Sequence, residues 1–213
     1  GEKINVAKSV GRLAALKEKI KNNTPEGVMG IGHTRWATHG RPSDVNSHPH
    51  TDCSGKFAIV HNGIIENFMS LKEELIAKGH KFVSETDTEV VAHLIEDVYE
   101  GDFVEAVNKV LNRIEGSYSL AFMCQDYPDT LICTKKDNPL VIGLGEGENF
   151  IASDIPAIIA YTRRTYIMND GEIAVVKKDS IWVTDRKGNP ITKKLFEVNW
   201  NAEAAEKGTP VQY

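Results

Sequence analysis

The sequence predicts an α+β layered domain. Three observations carry that expectation. Apolar residues recur at helical spacing in the first half of the chain, they alternate at period two in the second half, and turn-forming residues separate the alternating runs. Helices gathered early and antiparallel strands gathered late favour stacked layers over a wound parallel sheet. With 213 residues, 41% of them hydrophobic, the chain can bury one sizeable core.

The elements follow in order. Over residues 6–20, Val6, Val10, Leu13, Leu16 and Ile20 keep helical spacing, and the Thr24-Pro25-Glu26-Gly27 run breaks the helix. Residues 28–31 read as a short strand that delivers His33 and Arg35 to its end. Residues 37–55, rich in His, Pro, Ser, Asn and Gly, have no period and read as a long functional loop. Residues 57–61 read as a strand, and a helix starting near Asn67 stops at Gly79. Residues 81–83 read as a short strand. Thr86 and Glu89 then form a capping-box pattern for a helix that buries Val90, Leu94, Ile95 and Val98. A further helix spans 102–114 and ends at Gly116. Beyond it, strands are expected at 117–124, 130–134, 140–144, 150–152, 165–168, 172–176, 181–184 and 191–196.

Composition excludes several function classes. Thirty acidic residues against twenty-five basic ones give a net charge of −5, which argues against a nucleic-acid partner. No apolar run reaches transmembrane length, so no membrane partner is expected. Three widely spaced cysteines fit a reducing compartment, and a cytoplasmic location is expected.

Three constellations can carry chemistry. The first is His33-Thr34-Arg35-Trp36-Ala37-Thr38-His39-Gly40, with His48-Pro49-His50 behind it. Arg35 offers a planar fork for a carboxylate, with Thr38 and His39 as helpers, or it holds a local acid. The histidines there have irregular spacing and no completing cysteine or acid, so no metal is expected. The second is Val60-His61-Asn62-Gly63. It is either a hairpin turn or an oxyanion hole, in which the Asn62 amide and the next backbone N–H face one developing alkoxide. The third is residues 84–89, where capping uses some polar groups and leaves Asp87 to face an ammonium group. Residues 143–148 have the wrong spacing for a phosphate loop and read as a turn. A cation for a carboxylate, an acid for an amine and donors for a side-chain carbonyl together describe glutamine.

The runs HTRWATHG (33–40), NSHPH (46–50), IVHNGIIENF (59–68), VSETDTEV (83–90) and PLVIGLGEGENFIASD (139–154) resemble, in this order, the glutaminase domains of class II glutamine amidotransferases, specifically the glutamine–fructose-6-phosphate aminotransferases (glucosamine-6-phosphate synthases). The resemblance covers nearly the whole chain. It implies an N-terminal-nucleophile hydrolase fold, a four-layer αββα sandwich of antiparallel sheets. It implies that Arg35, Thr38 and His39 bind the glutamine α-carboxylate and Asp87 the α-ammonium. Asn62 and Gly63 would form the oxyanion hole, and Trp36 would belong to a loop that closes over substrate. His48 matches a family histidine near the site.

The resemblance also implies a nucleophilic cysteine at the start of the mature chain, with its own α-amine as base. The first strand, the next helix and that cysteine are expected before Gly1, so residues 1–208 are expected to be a glutaminase domain truncated at its N-terminus, with 209–213 an unassigned tail. In the intact enzyme, ammonia released through a γ-glutamyl thioester would pass to fructose 6-phosphate on following sugar-isomerase domains, giving glucosamine 6-phosphate. No cofactor is implied, and a homo-oligomer is. Two rivals remain: the glutaminase domain of another class II amidotransferase, and a non-catalytic glutamine-binding module.

Overall fold

In the computed structural model, which describes residues 3–35 and 39–199, two antiparallel sheets lie face to face. The larger runs β1 (His50–Thr51), β2 (Phe57–Ile65), β3 (Gly116–Cys124), β4 (Leu131–Lys136), β8 (Ile173–Val176) and β9 (Ile181–Thr184). The smaller runs β10 (Phe196–Glu197), β7 (Arg164–Ile167), β5 (Val141–Leu144) and β6 (Asn149–Ala152). Strand alternation divides the core in two. Tyr118, Leu120, Phe122 and Cys124 of β3 turn one way, into a cluster with α2 (Phe68–Ala77), α3 (Glu89–Val98) and α4 (Phe103–Leu111). Ala121 turns the other way and meets Cys133, Ala174 and Val183 against Ile142 of the second sheet and Leu140 and Met168 at the ends of its strands.

The outer face of the second sheet rests on Ile155, Ile158 and Ile159. That fourth layer consists of turns, with Ile159 N–H bonding the Ile155 carbonyl and Thr162 N–H the Ile158 carbonyl, both at 3.0 Å. The expected α+β sandwich is therefore present, with a helical layer on one side only among the described residues. No described helix is long and apolar enough to cross a membrane.

Several local expectations need correction. Residues 28–31 form no strand and Val28 is 93% exposed, because no described strand lies beside them to take their backbone groups. Only Leu13–Ile20 of the first helix forms (α1), and it buries no residue. The left-handed Gly11, at φ +97°, breaks the pattern there. Residues 81–83 belong to no strand. Of 191–196, a strand begins only at Phe196, with an isolated Thr184–Pro190 bridge before it. Gly116 starts β3 instead of capping a helix.

The capping box at Thr86 and Glu89 also fails. The N-cap of α3 is Thr88, without a side-chain cap bond. Thr86 Oγ1 pairs with His50 Nε2 at 3.0 Å. Glu89 reaches back past the cap to accept the Val83 N–H at 2.8 Å and the Ser84 N–H at 2.6 Å. Burial alone would raise the Glu89 pKa, but these bonds and those from His93 and the Ser84 hydroxyl bring it down to about 2.

Candidate active site

β2 continues unbroken through Asn62 and Gly63, which register with Ser119 and Tyr118 of β3. The hairpin reading of Asn62-Gly63 is thus overturned. The glycine is required for a different reason. Gly63 has φ +122°, and a Cβ there would lie 2.1 Å from the Ser117 carbonyl oxygen. Asn138 Nδ2 donates to the Asn62 carbonyl at 3.1 Å, holding the peptide from the β3 side.

β1 pairs with β2 only at Ala58 and Ile59, so the outer edge of β2 beyond that point is left for side chains. His48 Nδ1 accepts the His61 N–H at 3.2 Å, and Asp87 Oδ2 accepts the Ile65 N–H at 2.8 Å. Asp87 is 3% exposed, with Nδ1 of His39 at 3.8 Å and Nδ1 of His61 at 4.0 Å. His61 also meets Thr88 Oγ1 at 2.9 Å. The start of α3 is in this way fastened to the middle of a strand.

His33 Nε2 lies 2.6 Å from Asn62 Oδ1, and the His33 ring stacks on His48 at 4.2 Å. Arg35 donates to the carbonyls of His39 and Gly40, the latter at 3.2 Å, and among the described residues it forms no ion pair. The reading in which Arg35 holds a local acid finds no support there.

Burial keeps the imidazoles neutral. It pushes His33 down against the Asn62 bond, which raises it. His48 falls well below the usual histidine range through burial, with His33 and His50 adding to the fall. His50 drops to about 3, through burial and then Lys8. Burial lowers His61 to about 4 against the opposing pull of Asp87. Their nitrogens do not converge on a point: His33 turns to Asn62, His48 to the His61 N–H, and His50 to Thr86. His33 Nδ1 and His61 Nε2 are buried without a hydrogen-bond partner of ordinary geometry.

Arg35, His48, Asn62, Gly63 and Asp87 line one cavity of about 390 Å³, together with His33, His61, Thr86, Ser117 and Asn138. His39 borders it through Asp87. Trp36 and Thr38 lie outside the described residues, as does the tail at 209–213. His61 falls inside the 59–68 run beside Asn62 but has no role assigned from the sequence, and Asn138 carries no signal in the sequence that would single it out. His33 does, since it opens the run that holds Arg35. None of the three cysteines lines the cavity. Cys124 and Cys133 are buried, and burial raises both thiols, Cys133 to about 12. The turn expected at 143–148 is present between β5 and β6.

Residues 33–160 match the family model described as a glutamine amidotransferase domain. The chain is 59% identical over 205 residues to the glutamine–fructose-6-phosphate aminotransferase of Caldanaerobacter subterraneus subsp. tengcongensis, and 50% identical to that of Clostridium tetani. Each match covers 96% of this chain and 34% of the relative, so the chain spans about a third of the length of these curated relatives. Among solved structures, the B. subtilis glutamine phosphoribosylpyrophosphate amidotransferase complexed with ADP and GMP superposes with a TM-score of 0.61 at 25% identity, covering 74% of this chain and 35% of that one. The two-sheet sandwich is of the N-terminal-nucleophile type. Fold, motif order and family match agree: this chain belongs to the glutamine amidotransferase domain family.

Proposed function

We propose that this chain is the glutaminase domain of a glutamine–fructose-6-phosphate aminotransferase, and that the cavity between Arg35, Asn62-Gly63 and Asp87 binds glutamine. The observation that carries this reading is the convergence, on one cavity, of an arginine without an acid partner among the described residues, a buried aspartate and a positive-φ strand glycine. Arg35 takes the α-carboxylate, with His39 and Thr38 beside it, and Asp87 takes the α-ammonium. Trp36 closes over the substrate, and His48 supports the strand edge.

Strand alternation turns the N–H groups of residues 61, 63 and 65 toward one edge. His48 takes the first and Asp87 the third, which leaves the Gly63 N–H facing the cavity. The α-amine of an N-terminal cysteine takes the thiol proton as the sulfur attacks the side-chain amide carbon and the carbonyl electrons move to oxygen. It then delivers that proton to the leaving nitrogen. The Asn62 amide and the Gly63 N–H hold that oxyanion. Collapse of the intermediate breaks the C–N bond and releases ammonia, leaving a γ-glutamyl thioester that water cleaves to glutamate. In the intact enzyme the ammonia reaches fructose 6-phosphate on sugar-isomerase domains. We place that enzyme, a homo-oligomer, in the cytoplasm.

The cysteines of these 213 residues lie away from the cavity, so the described residues by themselves favour glutamine binding without turnover. The test compares this chain with a form extended at its N-terminus by the cysteine-led segment that the resemblance implies. Glutamine should bind to both, and only the extended form should release ammonia. Absence of glutamine binding in both would overturn the reading.

A further inference from the structure

A second polar cluster lies around α3, outside the cavity that holds Asp87. Cys53 follows β1, His80 follows α2, and His93 and Glu96 stand one turn apart on α3. One ligand atom from each comes within 4.8 Å of all the others. Cys53 Sγ lies 3.5 Å from His93 Nδ1 and 3.9 Å from His80 Nδ1. Glu96 Oε2 lies 3.1 Å from His80 Nδ1 and 3.7 Å from His93 Nδ1.

Those four separations, 3.1–3.9 Å, lie close to the ones around a tetrahedral ion. Ligand atoms about 2.0–2.3 Å from one zinc, at the tetrahedral angle, stand roughly 3.3–3.7 Å apart. Both histidines present Nδ1 inward and turn Nε2 to a carboxylate: His93 to Glu89 at 3.4 Å, and His80 to Asp97 at 3.8 Å. The Glu89 carboxylate, within hydrogen-bond reach of His93 Nε2, favours the tautomer that leaves His93 Nδ1 free to ligate, and Asp97 offers His80 Nε2 a longer-range charge. Lys81 N–H points at Cys53 Sγ at 3.3 Å, as suits a thiolate. A thiolate and a carboxylate would neutralise a divalent cation. An ordinary histidine–glutamate ion pair explains the His80–Glu96 contact, but not a cysteine and a second histidine aimed at the same point.

We propose that Cys53, His80, His93 and Glu96 bind a zinc-class divalent cation as a closed structural site. The ion would clasp the β1–β2 loop and the α2–α3 connection to α3, the helix whose first turn follows Asp87. Binding would displace the Cys53 proton to solvent as the S–metal bond forms.

The test is titration of the tag-free, chelator-treated chain with cobalt(II), then with zinc. One equivalent of cobalt should give the intense visible bands of a tetrahedral site and a thiolate charge-transfer band, and zinc should displace it. Zinc should also raise the melting temperature. Cys53→Ser should abolish the charge-transfer band, and both Cys53→Ser and His80→Gln should remove the zinc-dependent rise in melting temperature. Both variants change residues near the surface, and their metal-free melts check that they fold. Absence of the cobalt spectrum in the parent chain would overturn the proposal, as would an equal zinc response in Cys53→Ser.

Discussion

His33 Nε2 sits 2.6 Å from Asn62 Oδ1, joining a loop residue to a strand residue 29 positions on. With Nε2 protonated, the Asn62 carbonyl oxygen is the acceptor, and its NH₂ group is turned away from His33. Under the proposed function, the imidazole would thereby set which face of the asparagine amide serves the oxyanion. In an active, N-terminally extended form, Asn62→Ala should lower kcat by roughly 10²–10³-fold with a small change in KM. His33→Ala should lower kcat by less, about 3–10-fold, the worth of one orienting hydrogen bond. Steady-state kinetics check both. Near-normal kcat in Asn62→Ala would return Asn62 to a purely structural place in β2.

Gly63→Ala should destabilise the fold itself. The added methyl would meet the Ser117 carbonyl at 2.1 Å while the backbone stays at φ +122°. A cost of about 1–3 kcal/mol follows from the backbone conformation alone, before the clash is counted. Urea unfolding of the purified variant measures it, and an unchanged midpoint would show that the strand relaxes freely.

Arg35→Ala should separate binding from stability. Its partners among the described residues are two backbone carbonyls, so the melting temperature should hardly move. Losing a charge-assisted pair to a carboxylate costs about 1.5–3 kcal/mol, so Kd for glutamine should rise roughly 10–150-fold. Calorimetric titration decides. Asp87→Asn should raise Kd as well, while keeping an oxygen to accept the Ile65 N–H.

Acid should unfold the chain through its buried histidines. His50 and His61 have folded pKa values of about 3 and about 4, below the ordinary value of 6.5. A depressed folded pKa contributes stability that is present above pH 6.5 and lost as the pH falls toward 3–4, because the unfolded chain takes up protons first. Each such group contributes up to about 1.4 kcal/mol per pH unit in that window. Denaturant midpoints should therefore fall between pH 7 and pH 5. His50→Gln should flatten the slope, and a flat parent profile would count against neutral, buried imidazoles.

The sequence by itself determined the helix and strand periods, most strand positions after residue 116, and five of the residues that meet at the cavity: Arg35, His48, Asn62, Gly63 and Asp87. Those signals are local: alternation in β3 and the spacing of Val90, Leu94 and Ile95 need no knowledge of distant partners. Tertiary structure decided the rest. Asn62-Gly63 reads as a turn until β3 is laid beside it, and then it is mid-strand. Residues 28–31 have strand composition, yet a strand requires a neighbour to take its hydrogen bonds. Thr86 and Glu89 have the spacing of a capping box, but His50 and the Val83–Ser84 backbone compete for them and win. Cys53 and His80 are 27 positions apart, and His93 lies 40 from Cys53. Only the packing of α3 against two loops brings their ligand atoms together, because such contacts depend on chain distance in space and leave no periodic trace along the sequence.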